Sequence, residues 1–197
     1  GTSYQNAKLP FTGEKSSIEQ LCKADSNGDE GCLHFINHFS ADGRRREDSL
    51  MQGFNCIVLD CDGDCTIKSM ESLLEGITYM LYTTKRHQTP EGDFKDRFRV
   101  IIPINYELYM DASNYKEFMQ TIIRLFPFAI DDAVCQRAHK WQTNPKAQVF
   151  THIAMNKDKD NPEPVLFDVL PYIPHSKKCD ERESELKGNK AIKDLDK

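Results

Sequence analysis

An α+β domain is the fold class this sequence predicts, and three observations carry the expectation. Short apolar, partly β-branched runs such as FNCIVLD and FRVIIPI have the length and texture of buried strands. Stretches with apolar residues at helical spacing follow some of these strands but not others. The order therefore lacks the regular strand–helix rhythm of a doubly wound parallel sheet. At 197 residues, the chain is long enough to bury one sizeable core.

Residues 1–15 show no periodicity and read as a loose arm. In SSIEQLCKAD, Ser17 and Gln20 have capping-box spacing while Ile18, Leu21 and Cys22 share a side, which predicts a short helix. Residues 25–53 are polar and turn-rich and end in ADGRRRED and its short continuation. FNCIVLD is expected to be a strand buried on both faces. SMESLLEGITYMLY carries Met70, Leu73, Leu74, Ile77 and Leu81 at helical spacing, and its later half, ITYMLYTT, also fits a strand. FRVIIPI reads as a further buried strand with Pro103 near its end. NYKEFMQTIIRLFP puts Phe118, Met119, Ile122, Ile123 and Phe126 on one helical side and stops at Pro127. QVFTHIA and VLFDVL are predicted late strands. From His175 the chain is highly charged with few apolar anchors, as expected of a solvated helix or linker. The expected organisation is one domain over 1–174, including an arm and helix over 1–40, and a charged linker over 175–197.

Hydrophobic content of 39% and charged content of 29% are those of a soluble globular chain. No apolar run approaches the ~18 residues that a membrane helix requires, and no secretory leader is legible, so no membrane partner is expected. A net charge of −5 argues against nonspecific coating of nucleic acid, which needs cations to neutralise phosphates. It leaves room for an enzyme whose basic residues are local. Seven cysteines, an odd number without a framework, point to a reducing cytoplasmic compartment. Cys22, Cys32, His34 and His38 have zinc-binding chemistry, but their spacings match no common zinc module.

The densest chemistry lies in IVLDCDGDCTIKSME, where Asp60, Asp62 and Asp64 occupy alternate positions after an apolar run. Like charges this close repel unless a cation sits among them. A calcium loop starting at Asp60 finds acids at Asp62, Asp64 and Glu71 and an apolar Ile67. Its obligatory glycine is Cys65, and a strand precedes it instead of a helix. An aspartyl-phosphate phosphohydrolase is a second reading. There IVLDCDG resembles the first motif of haloacid-dehalogenase-type hydrolases, with Asp60 as nucleophile, Asp62 as acid/base and Mg²⁺ between them. Asp64 departs from that motif, and more than fifty residues precede it. A nucleotidyltransferase needs only geometry, because side chains alternate on a strand and Asp60 and Asp62 project to the same face. With a third acid they could hold two divalent ions.

That third reading expects another acid downstream and cations for a triphosphate. FPFAIDDAV supplies Asp131 and Asp132, which could equally be helix-capping or turn acids. YTTKRHQTPEGDFKDRFRVIIP supplies Lys85, Arg86, His87, Arg97 and Arg99. Arg97 and Arg99 are two apart, so both can face one side if the strand begins there, and arginine suits phosphate through its planar fork. A basic surface loop balancing an acidic protein is the plainer alternative.

Together these motifs resemble the primase-polymerases of the archaeo-eukaryotic primase superfamily, in the branch carried by phages and plasmids, over about residues 40–152. IVLDCD is similar to the first motif of that family, YTTKRH with DRFRVIIP to the second, and AIDD to the third. KWQTNPKAQVF is similar to an Arg-aromatic stretch running into an Asn-Pro turn, with Lys140 where Arg is usual. The resemblance implies that Asp60, Asp62 and Asp131 are catalytic and bind two Mg²⁺ or Mn²⁺ ions. It implies that His87, Arg97, Arg99, Lys85 and Lys140 contact the nucleotide. It further implies a primase-type α+β core with an RRM-like antiparallel or mixed sheet flanked by helices, and template-directed joining of (d)NTPs on single-stranded DNA. A longer parent chain with a helicase domain, working in bacterial host cytoplasm, completes what the resemblance implies.

Overall fold

The computed structural model describes residues 34–38, 40–42, 44–158, 160–178, 180–181 and 184. The helix predicted in SSIEQLCKAD lies outside them, as do Cys22, Cys32 and most of the charged tail. The architecture is α+β. Strand β1 (His34–Phe35) is followed by β2 (Phe54–Asp62), helix α1 (Ile67–Leu74), β3 (Tyr79–Thr83), β4 (Arg97–Leu108), helix α2 (Ala112–Ile123), β5 (Trp141–Gln142) and β6 (Val149–His152). The main sheet is antiparallel in the order β2-β4-β3-β6, and β1 pairs with β5 in a separate two-stranded ribbon.

Both helices begin at side-chain caps. Thr66 Oγ1 accepts the Ser69 N–H (3.1 Å) at α1, and Asp111 Oδ1 accepts the Asn114 N–H (2.8 Å) at α2. Helix α1 ends at Leu74, just before Gly76, so ITYMLYTT is the strand and not a helical continuation. The physical reason is context: Tyr79–Thr83 is buried throughout and pairs with β4 on one side and β6 on the other. Of the expected helical face, Met70 and Leu74 are buried, Leu73 is exposed, and Leu81 belongs to the sheet. Helix α2 buries Tyr115, Phe118, Met119 and Ile122 and ends at Ile123, a turn before Pro127.

Two strand expectations are corrected. Strand β4 runs on through Leu108, so Pro103 is interior. The register of β2 slips between Phe54 and Cys56, beside the Cys56–Pro103 pair, where the proline lacks a ladder N–H. VLFDVL forms no strand. Its Phe167 bridges to β4, donating its N–H to Pro103 O (3.1 Å) and accepting the Asn105 N–H (3.1 Å), because β3 ends short of this stretch of β4.

The register of the sheet positions the site. Ile57, Leu59 and Cys61 pair with Ile102, Val100 and Phe98 on one face. On the other face the rows are Val58–Ile101–Met80, Asp60–Arg99–Tyr82 and Asp62–Arg97. Among the described residues no helix is long and apolar enough to cross a membrane.

Candidate active site

Asp60 and Asp62 project from the same face of β2, as alternation on a strand requires, and β4 presents an arginine directly opposite each. Arg99 donates Nε and Nη2 to Asp60 Oδ2, both at 3.1 Å, and Arg97 Nη1 lies 2.9 Å from Asp62 Oδ1. Arg86 approaches the other Asp62 oxygen at 3.7 Å. The Arg99 guanidinium also donates to Gln142 O and lies about 6 Å from the ring centroids of Tyr82 and Trp141. The cations expected to meet a triphosphate therefore neutralise the acids expected to meet metal.

Asp60 is only 6% exposed. Burial pushes its carboxyl above the usual carboxylate range; Arg99 opposes this, and Asp62 and Asp131 add to the rise. Burial also works against the Arg99 charge, but Tyr82 and Asp60 outweigh it and hold the guanidinium more basic than usual. Asp60 Oδ2 is satisfied by Arg99, whereas Asp60 Oδ1 is buried without a hydrogen-bond partner. Such an atom is costly unless something positive reaches it.

Asp131 lies beside this pair. Strand β2 is an edge of the sheet, and the Asp131 N–H donates to Asp60 O at 3.2 Å, covering that edge. Its Oδ1 accepts the Ala133 N–H (2.9 Å) and caps the 3₁₀ turn Asp132–Cys135. Asp131 is thus both a turn cap and a neighbour of Asp60. Asp132 is exposed in the first turn after it.

His87 sits in the turn after β3, where its Nδ1 accepts the Arg97 N–H (3.2 Å) and lies 4.0 Å from Asp96. That bond leaves Nε2–H as the ring's donor. Lys85 and Lys140 are exposed and make no ion pair among the described residues. The turn around His87 depends on Gly92, since a Cβ there would collide with the Arg86 carbonyl and crowd Arg97 Cδ at 3.2 Å. Gly92→Ala is expected to cost about 1–3 kcal/mol, because a backbone atom cannot yield as a flexible side chain does. Thermal unfolding measures this, and an unchanged midpoint would refute it.

Sequence reasoning missed His139 and Tyr82. His139 packs edge-on against Trp141 at 4.2 Å, and Asp131 and Arg99 both act on its charge. Burial lowers its basicity; Asp131 opposes this, and Arg99 and Arg45 reinforce it. Tyr82 is placed by strand register beside Arg99, which no motif announces. His38, weighed for zinc, packs against Phe54 and Tyr115 with centroids at 5.2 and 4.9 Å. The calcium reading fails on geometry, since Asp60 and Asp62 lie within β2.

Among the described residues, no three His, Cys, Asp or Glu side chains are grouped as a ready-made metal centre. The donor chemistry nevertheless fits a hard divalent cation: the acids offer only oxygen, and Asp60 Oδ1 is an orphaned buried acceptor. No protein-family model matches the chain, and comparisons with curated proteins and with solved structures find no match.

Proposed function

We propose that the chain is a template-directed DNA primase or polymerase that joins (d)NTPs at the acidic end of the β2–β4 pair. The observation that carries this reading is the register that sets Asp60 opposite Arg99 and Asp62 opposite Arg97, with Asp60 Oδ1 unsatisfied. Rows that each set an acid opposite an arginine match a substrate that brings both cations and phosphates. Asp60, Asp62 and Asp131 would hold two Mg²⁺ or Mn²⁺ ions, which supply charge neutralisation at the α-phosphate and a more acidic attacking 3′-hydroxyl. Arg97 and Arg99, exchanging carboxylate for phosphate, present planar forks to the β- and γ-phosphates. His87 adds its Nε2–H donor, and Lys85 and Lys140 add charge at the rim. Because Asp60 and Arg99 are largely out of water, such charge contacts act at low effective dielectric. A single-stranded DNA template, a helicase domain elsewhere in a longer chain, and a role in phage or plasmid replication in bacterial cytoplasm belong to this proposal.

The rival phosphohydrolase needs Asp60 as an accessible nucleophile. A carboxylate that is 6% exposed and clamped at Oδ2 by Arg99 is poorly disposed to attack. Incubation with labelled dNTP, template and Mn²⁺ is expected to give extended products, and a generic phosphomonoester is expected to remain intact. The opposite pair of results moves the assignment to the hydrolase. Metal binding has its own readout. At about 100 times its Kd, a bound cation adds about 2.7 kcal/mol of stability, which is roughly 5–10 °C in Tm at this size. Asp131→Asn is expected to lose much of that Mn²⁺-dependent increment. An increment equal to wild type removes Asp131 from the metal site.

A further inference from the structure

The segment joining β3 to β4 is closed at its base, where the Thr84 N–H donates to Arg97 O at 2.9 Å. Within it, Gln88 N–H donates to Lys95 O (3.0 Å), Phe94 N–H to Thr89 O (3.0 Å), and Gln88 Nε2 to Asp96 Oδ1 (2.6 Å). Three non-glycine residues there have left-handed backbone: Gln88 at φ 52°, Asp93 at 55° and Phe94 at 52°. L-residues avoid this region, bulky ones most of all. Strain of this kind is kept where surrounding structure enforces it, and it is enriched at ligand clamps and switch regions. Packing does not offset it at Phe94, whose side chain is 65% exposed. The network thus holds a large aromatic ring out in water.

The same segment is tied to the acidic site. Arg86 and Arg97 both reach Asp62, and the Lys95 side chain lies close against Gly63. Its own charges cancel, with Lys85, Arg86 and Lys95 set against Glu91, Asp93 and Asp96. A near-neutral tip carrying a fixed aromatic suits a flat, uncharged π-face better than a phosphate. We propose that Phe94 is a stacking platform for an unpaired nucleobase of single-stranded nucleic acid, next to the Asp62–Arg97 end of the site. This rests on the polymerase reading for its ligand class. Stacking is tolerant of base identity and contributes little to salt dependence, which comes from phosphate contacts.

The test uses the 197-residue chain and a fluorescein-labelled oligo-dT, with binding read by anisotropy across a salt series. Phe94→Gly removes the ring and relieves the left-handed strain. Affinity is expected to fall about tenfold, with an unchanged salt slope and a Tm at or above wild type. Phe94→Trp is expected to bind at least as well as wild type. Wild-type affinity in Phe94→Gly overturns the inference, as does a shallower salt slope. A lowered Tm also overturns it, because Phe94 would then be a packing residue. Incorporation of labelled dNTP is scored separately. Wild-type chain that binds the oligonucleotide but synthesises nothing overturns the polymerase reading and leaves Phe94 to be judged by its binding result.

Discussion

Asp60→Asn is expected to lower nucleotide incorporation by about a thousandfold or more, the loss that follows when a preorganised charge at a reacting centre is removed. The substitution keeps shape and one acceptor but removes the charge opposite Arg99, so it also tests the ion pair. Breaking a buried pair by neutralising one partner leaves the other charge uncompensated. The fold is therefore expected to lose stability. Asp60→Asn combined with Arg99→Gln is expected to recover part of the Tm and none of the activity, which separates the structural role from the chemical one. The pH dependence has a definite sign. Burial raises the folded-state value of Asp60 above the unfolded one, so the folded protein binds more protons between the two. Stability contributed by this group is present at low pH and falls as pH rises from the ordinary carboxylate value to the raised one. Asp60→Asn should flatten that part of the profile. Wild-type incorporation by Asp60→Asn would falsify the site assignment.

Arg137→Ala is expected to produce the largest loss of stability. The side chain is buried, and its Nη1 donates to Met110 O (3.1 Å) while Nη2 donates to Leu50 O (3.0 Å). Its Nε lies 3.2 Å from a Glu47 carboxylate oxygen. Three chain segments meet at this one guanidinium: the stretch before β2, the approach to α2, and the loop that follows the Asp131-capped turn. Truncation leaves buried carbonyls and a carboxylate without their donor, at a cost of about 3–5 kcal/mol. For a domain of this size that is roughly 6–20 °C in Tm. Arg137→Lys should rescue little, since one ammonium cannot span the same carbonyls. Denaturant unfolding decides the matter, and a midpoint within error of wild type would show that other contacts hold these segments together.

Much of the sheet was legible because its signals are local. FNCIVLD and FRVIIP carry dense apolar and β-branched residues, and both are central to β2 and β4. The ITYMLYTT ambiguity could not be resolved locally, since its apolar spacing satisfies two periods; pairing to β4 and β6 decided it. VLFDVL had strand composition but forms only one isolated bridge, from Phe167 to Ile104, and no ladder. Pro103 was read as a terminus, whereas a register slip in β2 accommodates it inside the strand. At the site, the acids and arginines were each visible as residue types. Their pairing was not, because it depends on register between segments some forty residues apart.

By itself, the sequence determined the α+β class, the acidic strand end with Asp60 and Asp62 on one face, and the downstream supply of Asp131 and cations. These follow from side-chain alternation and from composition over a few neighbouring residues. Only the tertiary structure decided that Arg99 and Arg97 face those acids, that Asp131 covers the open edge beside Asp60, and that His139 and Tyr82 join them. It also decided that Phe94 is held in solvent by a left-handed turn. Such relations depend on which distant segments hydrogen-bond to one another and in what register, and no short window of residues carries that information.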